Sequence, residues 1–252
     1  MKRNLFVALL MLCACGGLFA QEEPIPPKRS KMMKVGLFGG FTPGWLLMDM
    51  KPINEYVVKS NGAALSENGI FMLGGAGAAY IMLVPNLRVG GMGMSGSVSS
   101  SSLLNGVRRD SEVHVGFGGL TIEYVVPLAD HLDLAVGSMF GGGGLDIVLR
   151  EDVGGNKTWE KEWSSFESGD YQIGPQVNNI NRKLGGSFFI LVPSANIEYA
   201  VLPWLAFRLG ASYVAMIGPT WQLDDKYDLL NVPGTISGKG FMVNLGILAG
   251  TF

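Results

Sequence analysis

Three stretches of the chain repeat one pattern: a tyrosine, a few apolar residues, a proline, then an alternating apolar segment that runs into glycine. They are Tyr80-Ile-Met-Leu-Val-Pro-Asn-Leu-Arg-Val-Gly-Gly, Tyr124-Val-Val-Pro-Leu-Ala-Asp-His-Leu-Asp-Leu-Ala-Val-Gly and Tyr199-Ala-Val-Leu-Pro-Trp-Leu-Ala-Phe-Arg-Leu-Gly-Ala. Each reads as an antiparallel hairpin with a very short connection, and much longer polar segments lie between them. Alternation with period two marks a strand with two unlike faces. It is plain in the last repeat, where Leu205, Phe207, Leu209, Ala211 and Tyr213 share one face. Ala206, Arg208, Gly210 and Ser212 share the other.

Eight strands are predicted, over residues 32–44, 69–83, 87–98, 112–126, 132–149, 183–200, 205–217 and 238–252. The connections after the second, fourth and sixth are short and carry Pro85, Pro127 and Pro203. Those after the first, third, fifth and seventh are long, covering 45–68, 99–111, 150–182 and 218–237. An even strand count, both termini beside the short turns, and long loops at the other end describe a closed antiparallel up-and-down transmembrane β-barrel. A soluble sandwich has no reason to sort its loops by length. Pro52 to Ser60 reads as a short helix with Pro52 in its first turn. A further hairpin is also open, with Asp152–Asn156 as its turn and Thr158–Trp163 as its return arm. If it reached the bilayer, the count would be ten.

Composition fits this layout. Hydrophobic residues make up 48% of the chain and charged residues only 16%. Yet no apolar run beyond residue 20 approaches the ~20 residues of a membrane-spanning helix. The 37 glycines fall largely within the predicted strands. Glycine weakens an ordinary strand, but the crowded interior of a small barrel favours small side chains.

The N-terminus has the layout of an export signal: Lys2 and Arg3, an apolar stretch from Leu5 to Leu12, and a cleavage point after Ala20. The rival is a lipoprotein signal with Cys15 lipidated. Cys13 and Cys15 are the chain's two cysteines. Cleavage after Ala20 therefore leaves no disulfide and no thiol chemistry. It also removes two cations and no anions, so 17 Lys and Arg face 21 Asp and Glu, a net charge of −4. That excludes the basic footprint nucleic acid needs and a polybasic patch for anionic lipid. Residues 21–31 are polar and proline-rich and read as a flexible periplasmic leader.

The charges within the strands form the main constellation. Glu123 and Glu198 each precede the tyrosine of an Ile-Glu-Tyr triplet. Arg88 and Arg208 lie just past their turns, and Asp133 holds the comparable place in the middle repeat. A charge facing lipid near the midplane costs a few kcal/mol, about 2–4 for Arg or Lys and less for Asp or Glu. Alternation should thus turn Tyr124, Tyr199 and Phe207 toward lipid and the five charges inward, where they must pair. The expected result is a salt-bridged plug, since an eight-stranded barrel is about wide enough for its own side chains. Tyr80, Tyr124, Tyr199 and Trp204 are expected to mark the aromatic girdle. Trp159, Trp163, Phe166 and Tyr171 fall in the longest loop, either packing there or forming a contact surface for an extracellular partner.

Catalytic and metal constellations are weak. Ser111, Glu112 and His114 are close in sequence, but an odd separation sends Ser111 and His114 to opposite faces of a strand. Asp224, Asp225 and Asp228 lack the spacing of a calcium loop and read as a solvated turn. The glycine runs 39–40 and 141–144 lack the Lys-Ser/Thr pair of a phosphate loop. No enzyme activity, cofactor or metal is expected.

With these features the chain resembles the small, eight-stranded bacterial outer-membrane β-barrel proteins over residues 32–252, ending as many of them do in an aromatic residue, Phe252. The resemblance implies insertion from the periplasm by the outer-membrane assembly machinery, with Phe252 as its signal, and a lipid bilayer as surroundings. It implies no single activity. Residues in phase with Phe252 (Gly250, Leu248, Gly246, Asn244 and Met242) form a weaker apolar series than the class usually shows. The leading expectation is a plugged, non-enzymatic outer-membrane barrel. The alternatives are a narrow channel or carrier for small solutes, and a soluble or lipid-tethered barrel holding an apolar ligand.

Overall fold

A backbone that crosses lipid must satisfy its N–H and C=O groups within the protein, and the architecture follows from that. The computed structural model describes residues 36–81, 83–154, 158–168 and 180–251. The strands are β1 (Leu37–Phe41), β2 (Gly44–Met48), β3 (Ile70–Tyr80), β4 (Leu87–Leu104), β5 (Val107–Ala129), β6 (Leu132–Asp152), β7 (Ile180–Leu202), β8 (Leu205–Leu223), β9 (Tyr227–Asp228) and β10 (Gly240–Gly250). Two helices, α1 (Lys51–Lys59) and α2 (Trp159–Ser168), lie in the connections. No helix among the described residues is long and apolar enough to cross a membrane.

All pairings are antiparallel, and the sheet closes. β1 and β2 are two halves of one strand broken at Thr42-Pro43, and β9 is a two-residue appendage to β8. The eight-strand ring is sealed where β10 pairs with β8 on one side and with β1 and β2 on the other, Phe38 opposite Gly250 and Met48 opposite Gly240. Proline has no N–H to give at the break. The ladder bridges it with Thr42 N–H donating to Gly74 O and Leu245 N–H donating to Pro43 O, both at 2.9 Å.

The first strand therefore continues to Met48, past its expected end at 44. The short turns, both described termini and the β1–β10 seam share one end. At the opposite end the strands run further than expected. β4 to β8 have 18, 23, 21, 23 and 19 residues, against the roughly 9–11 a tilted strand needs to cross lipid. The expected long loop at 99–111 is instead a two-residue turn: Asn105 (φ 53°) and Gly106 (φ 78°) make a tight left-handed corner between β4 and β5, the geometry Asn-Gly favours. The return arm expected at 158–163 is helical, in α2. Trp159 and Trp163 are four residues apart, a spacing that keeps one face in a strand and in a helix alike.

Along β10, Phe241, Val243, Leu245 and Ile247 face outward, while Met242, Asn244 and Leu248 are buried inside. The weak apolar series in phase with Phe252 is thus the interior face, and the lipid-facing series is the strongly apolar odd one. Phe252 itself, the signal segment and the leader lie outside the described residues.

Inside, glycine permits strand contacts that a methyl group would block. A Cβ on Gly141 would collide with Gly118 O and crowd Gly119 Cα, whereas one on Gly142 would meet only Phe188 O at 3.9 Å. Gly141→Ala is expected to lower stability by about 1–3 kcal/mol through overpacking, and Gly142→Ala by less than about 0.5 kcal/mol. Urea unfolding in phospholipid vesicles checks the order, and equal effects would contradict the packing argument.

Candidate functional site

The ring lets residues far apart in sequence meet at one level inside the barrel, near the short-turn end. Register sets Arg88 opposite Glu123, Asp133 opposite Glu198, and Glu198 opposite Arg208. Directly paired residues point to the same face of a sheet, so one inward assignment carries the others. Arg88 is 1% exposed. Its Nε donates to Glu123 Oε2 at 2.7 Å, and its Nη1 and Nη2 donate to the two oxygens of Glu198 at 2.7 and 2.5 Å. This two-pronged pairing suits the planar guanidinium. Arg208 Nη2 lies 2.6 Å from Glu198 Oε1 and 3.6 Å from Glu123 Oε2. These contacts are ion pairs without hydrogen-bond alignment, and Arg208 Nε also has no hydrogen-bond partner.

Asn196 Nδ2 donates to Glu123 Oε1 at 3.1 Å. Phe38 lies beneath both guanidiniums, its ring centroid 4.8 Å from Arg88 Cζ and 5.4 Å from Arg208 Cζ, within cation–π range. Two arginines and two glutamates, all buried, thus neutralise one another inside the barrel. Asp133 is half-buried on the same face. Of the five charges named from the alternation, Arg88, Glu123, Glu198 and Arg208 are in direct contact here.

Tyr80 is placed differently. It was expected in the outer girdle, but it pairs with Arg88 in the β3–β4 register and so shares the interior face. Its hydroxyl interacts with Arg88 and lies within electrostatic reach of Asp133 and Glu198. The reason is phase. The inward charge follows the tyrosine by nine residues in the middle and last repeats (Asp133 and Arg208) but by eight in the first (Arg88), so aligning the repeats on tyrosine hides a change of face. Tyr124 and Tyr199 face outward and are exposed, and Trp204, in the turn before β8, is exposed.

Above the charges lies a polar layer with Asn196, Ser212 and Asn244, all buried, beside a cavity of about 20 Å³. That is room for about one water. Gly210 admits the Asn196 and Asn244 carboxamides, since a Cβ there would collide with Asn196 Oδ1. Beyond it the interior is apolar, packed with Met72, Met94, Phe117, Met139, Ile190 and Met242. Sequence reasoning did not foresee this second block. The connection after β2 closes it from outside: Met50, Ile53, Val57 and Leu65 are buried, and Asn54 bonds both the N–H and the carbonyl of Leu65, at 2.8 and 3.0 Å. α1 itself matches the expected helix.

In the outer connections, Trp159 and Trp163 are exposed and meet edge to edge-face at 5.5 Å. The side chain of Phe166, and Tyr171 as a whole, lie outside the described residues. Asp224 and Asp225 are not merely solvated: they pair with Arg182 at 3.1 Å and Lys183 at 3.0 Å, tying β8 to the start of β7. Ser111 is buried while His114 is exposed, on opposite faces. Among the described residues no group of three His, Cys, Asp or Glu could hold a metal.

No protein-family model and no curated protein matches the chain in sequence. Among solved structures, Ail, the attachment invasion locus protein of Yersinia pestis bound to the heparin analogue sucrose octasulfate, is similar at 10% identity and a TM-score of 0.36, over 87% of this chain and 98% of that one. CarO of Acinetobacter baumannii is similar at 13% identity and a TM-score of 0.37, over 88% and 99%. The outer membrane protease OmpT of Escherichia coli is similar at 11% and 0.31, over 86% and 95%. The barrel assignment stands on the hydrogen-bonded ring and its apolar outer band, independently of these likenesses.

Because Arg88 holds both glutamates, Arg88→Met is expected to be the most destabilising change in the layer, by about 3–5 kcal/mol, as it leaves buried carboxylates unpaired. Arg208→Leu should cost less, given its poorer alignment, and Phe207→Leu, on the lipid face, least. Unfolding midpoints in vesicles give the order. A Phe207→Leu variant weaker than Arg88→Met would contradict the inward assignment.

Proposed function

We propose that the chain is an integral outer-membrane β-barrel without enzymatic activity, blocked to solute flow, whose outer connections supply its specific contacts. The observation that carries this reading is the double obstruction of the lumen. The neutralised layer around Arg88 is followed by the dry layer around Met139. An ion would have to displace matched charges and then cross a space with no polar partner. The outward apolar band supports a lipid bilayer as surroundings and argues against the soluble alternative. The separation of Ser111 from His114 supports the absence of a hydrolytic triad. The exposed pair Trp159 and Trp163 supports a contact surface for an extracellular partner, since aromatic residues are enriched at interfaces. Phe252 remains the proposed signal to the assembly machinery.

Two measurements follow. In planar phospholipid bilayers the folded protein is expected to be electrically silent; steady ohmic steps would mean a continuous water path and favour the channel reading. The mature chain is expected to begin at Gln21 and to contain no thiol, which intact-mass measurement of membrane-extracted protein reads directly. A mass increased by acyl chains on Cys15 would overturn export by simple cleavage.

A further inference from the structure

The wall of the barrel is incomplete at one place near its outer mouth. β10 accompanies β8 only as far as Val214, opposite Gly240, and β9 pairs only with Gln222 and Leu223. Among the described residues, no strand covers that edge of β8 from Ala215 to Thr220. On the other edge the register with β7 slips beside Gly218 (φ 65°) and Pro219. Proteins otherwise keep strand edges paired or covered. Here the segment 229–236 runs beside the edge as a strap, tied to β8 by Leu229 N–H donating to Trp221 O at 2.9 Å. Its Leu229, Val232 and Ile236 are half-buried against the core.

Two cavities share those three strap residues as a common wall. The first, of about 500 Å³, lies in the mouth and is lined besides by Ile53 and Val57 of α1, Leu149 of β6 and Leu184 of β7. The second, of about 540 Å³, lies at the uncovered edge. Its walls include Phe188, Met216 and Trp221, all buried inside, and Ile217, which is exposed on the outer face. The space thus reaches from the interior to the outside between β8 and the strap. The opening sits just above the outward pair Tyr213 and Phe241, whose rings meet at 5.0 Å. Aromatic residues of this kind mark the edge of the apolar band. From that level β10 runs 11 residues to the short-turn end, in keeping with the roughly 9–11 that cross lipid. The side opening therefore faces the outer boundary of the bilayer.

The inward-facing charges at the mouth, Arg109 and Glu151, bond each other at 3.0 Å, whereas Asp110 and Arg150 stand on the outer face of their strands. At the side opening Lys239 is exposed and keeps its own water. A charged ligand in the mouth cavity would lose its hydration without gaining an unpaired partner. We propose that the two cavities make one site for an uncharged, lipid-soluble molecule, a long-chain alcohol being the simplest case, which enters sideways from the outer leaflet between β8 and the strap. Apolar walls favour such a molecule over water, and each cavity has the volume of a small-molecule site. The inference goes beyond the blocked-barrel reading and rests on the outward-facing mouth of the proposed outer-membrane barrel.

The test uses the full chain folded in phosphatidylcholine vesicles that carry a long-chain alcohol with a diazirine near its chain end. After photolysis, label is expected on Met216 first and then on Leu184, and it saturates with probe. Label on the lipid-facing Phe71 and Leu120 rises in proportion to probe. Leu149→Trp, which fills the mouth cavity, should reduce the label on Leu184 about tenfold. The corresponding fatty carboxylate, at a pH where it is ionised, should label Leu184 about fivefold less than the alcohol. Ser237→Trp sets an indole at the side opening, which Ser237 lines, and should slow labelling of Leu184 about tenfold. Heat-modifiable gel migration verifies that each variant is folded; saturation and the order of labelling are read on the unaltered protein. Label confined to Phe71 and Leu120, lacking saturation, or insensitive to Leu149→Trp would overturn the site. Equal labelling by alcohol and carboxylate would overturn the ligand class. Leu184 labelled before Met216, or an unchanged rate in Ser237→Trp, would overturn the side entry. Conductance reports on the inner layers alone, so failure here is distinguishable from failure of the blocked-barrel reading.

Discussion

In the core of a bilayer no water is available to a peptide group, so every strand needs a partner on each side. This constraint reaches the seam between the first and last strands, which must pair although they are furthest apart in sequence. β10 meets that demand on both flanks, and the carbonyl of Pro43 and the N–H of Thr42 keep the ladder going across the one place where a donor is missing. Once the ring of eight is shut, its width is set, and only side chains fit inside.

The interior contents follow from that width. Charges excluded from lipid have to turn inward, and in a narrow lumen they can persist only as a neutral, mutually bonded set. Arg88 provides the geometry, with one edge of its guanidinium on Glu198, its Nε on Glu123 and its face over Phe38. Further out the same space is filled by methionine and branched side chains, which make a dry block. Methionine suits irregular gaps because its unbranched chain adapts to them. The barrel thus changes solvent character along its axis, from ionic at the turn end to apolar toward the mouth. Toward the mouth that apolar block forms the floor of the outer cavity.

Much of this was readable in the residues. Two-residue periodicity marked the strands and placed Glu123, Glu198, Arg88 and Arg208 on one face, because a half-lipid, half-lumen strand leaves a clear signature. The strand ends were harder to read. Ser99 to Ser102 look like loop by composition, but above the lipid a strand has no need of apolar residues, and the Asn105-Gly106 corner extends the hairpin well beyond its greasy part. Tyr80 was misplaced because eight residues separate it from Arg88, against nine from Tyr124 to Asp133 and from Tyr199 to Arg208, and an even separation brings it to the face of its charge. The methionine layer was hidden for a different reason: when both faces of a strand are apolar, alternation no longer tells inside from outside. The mouth cavity depends on α1 and the strap at 229–236 meeting the rim, a tertiary contact with no local pattern.

The central claim is closure, and backbone amide hydrogen exchange across the β1–β10 seam in phospholipid vesicles tests it most directly. The account predicts that the amides of 38–41 and 240–249 are protected to the same degree as those of β5 and β6 at the same depth. Fast exchange confined to those two segments, with β5 and β6 still protected, would describe an open sheet and contradict it.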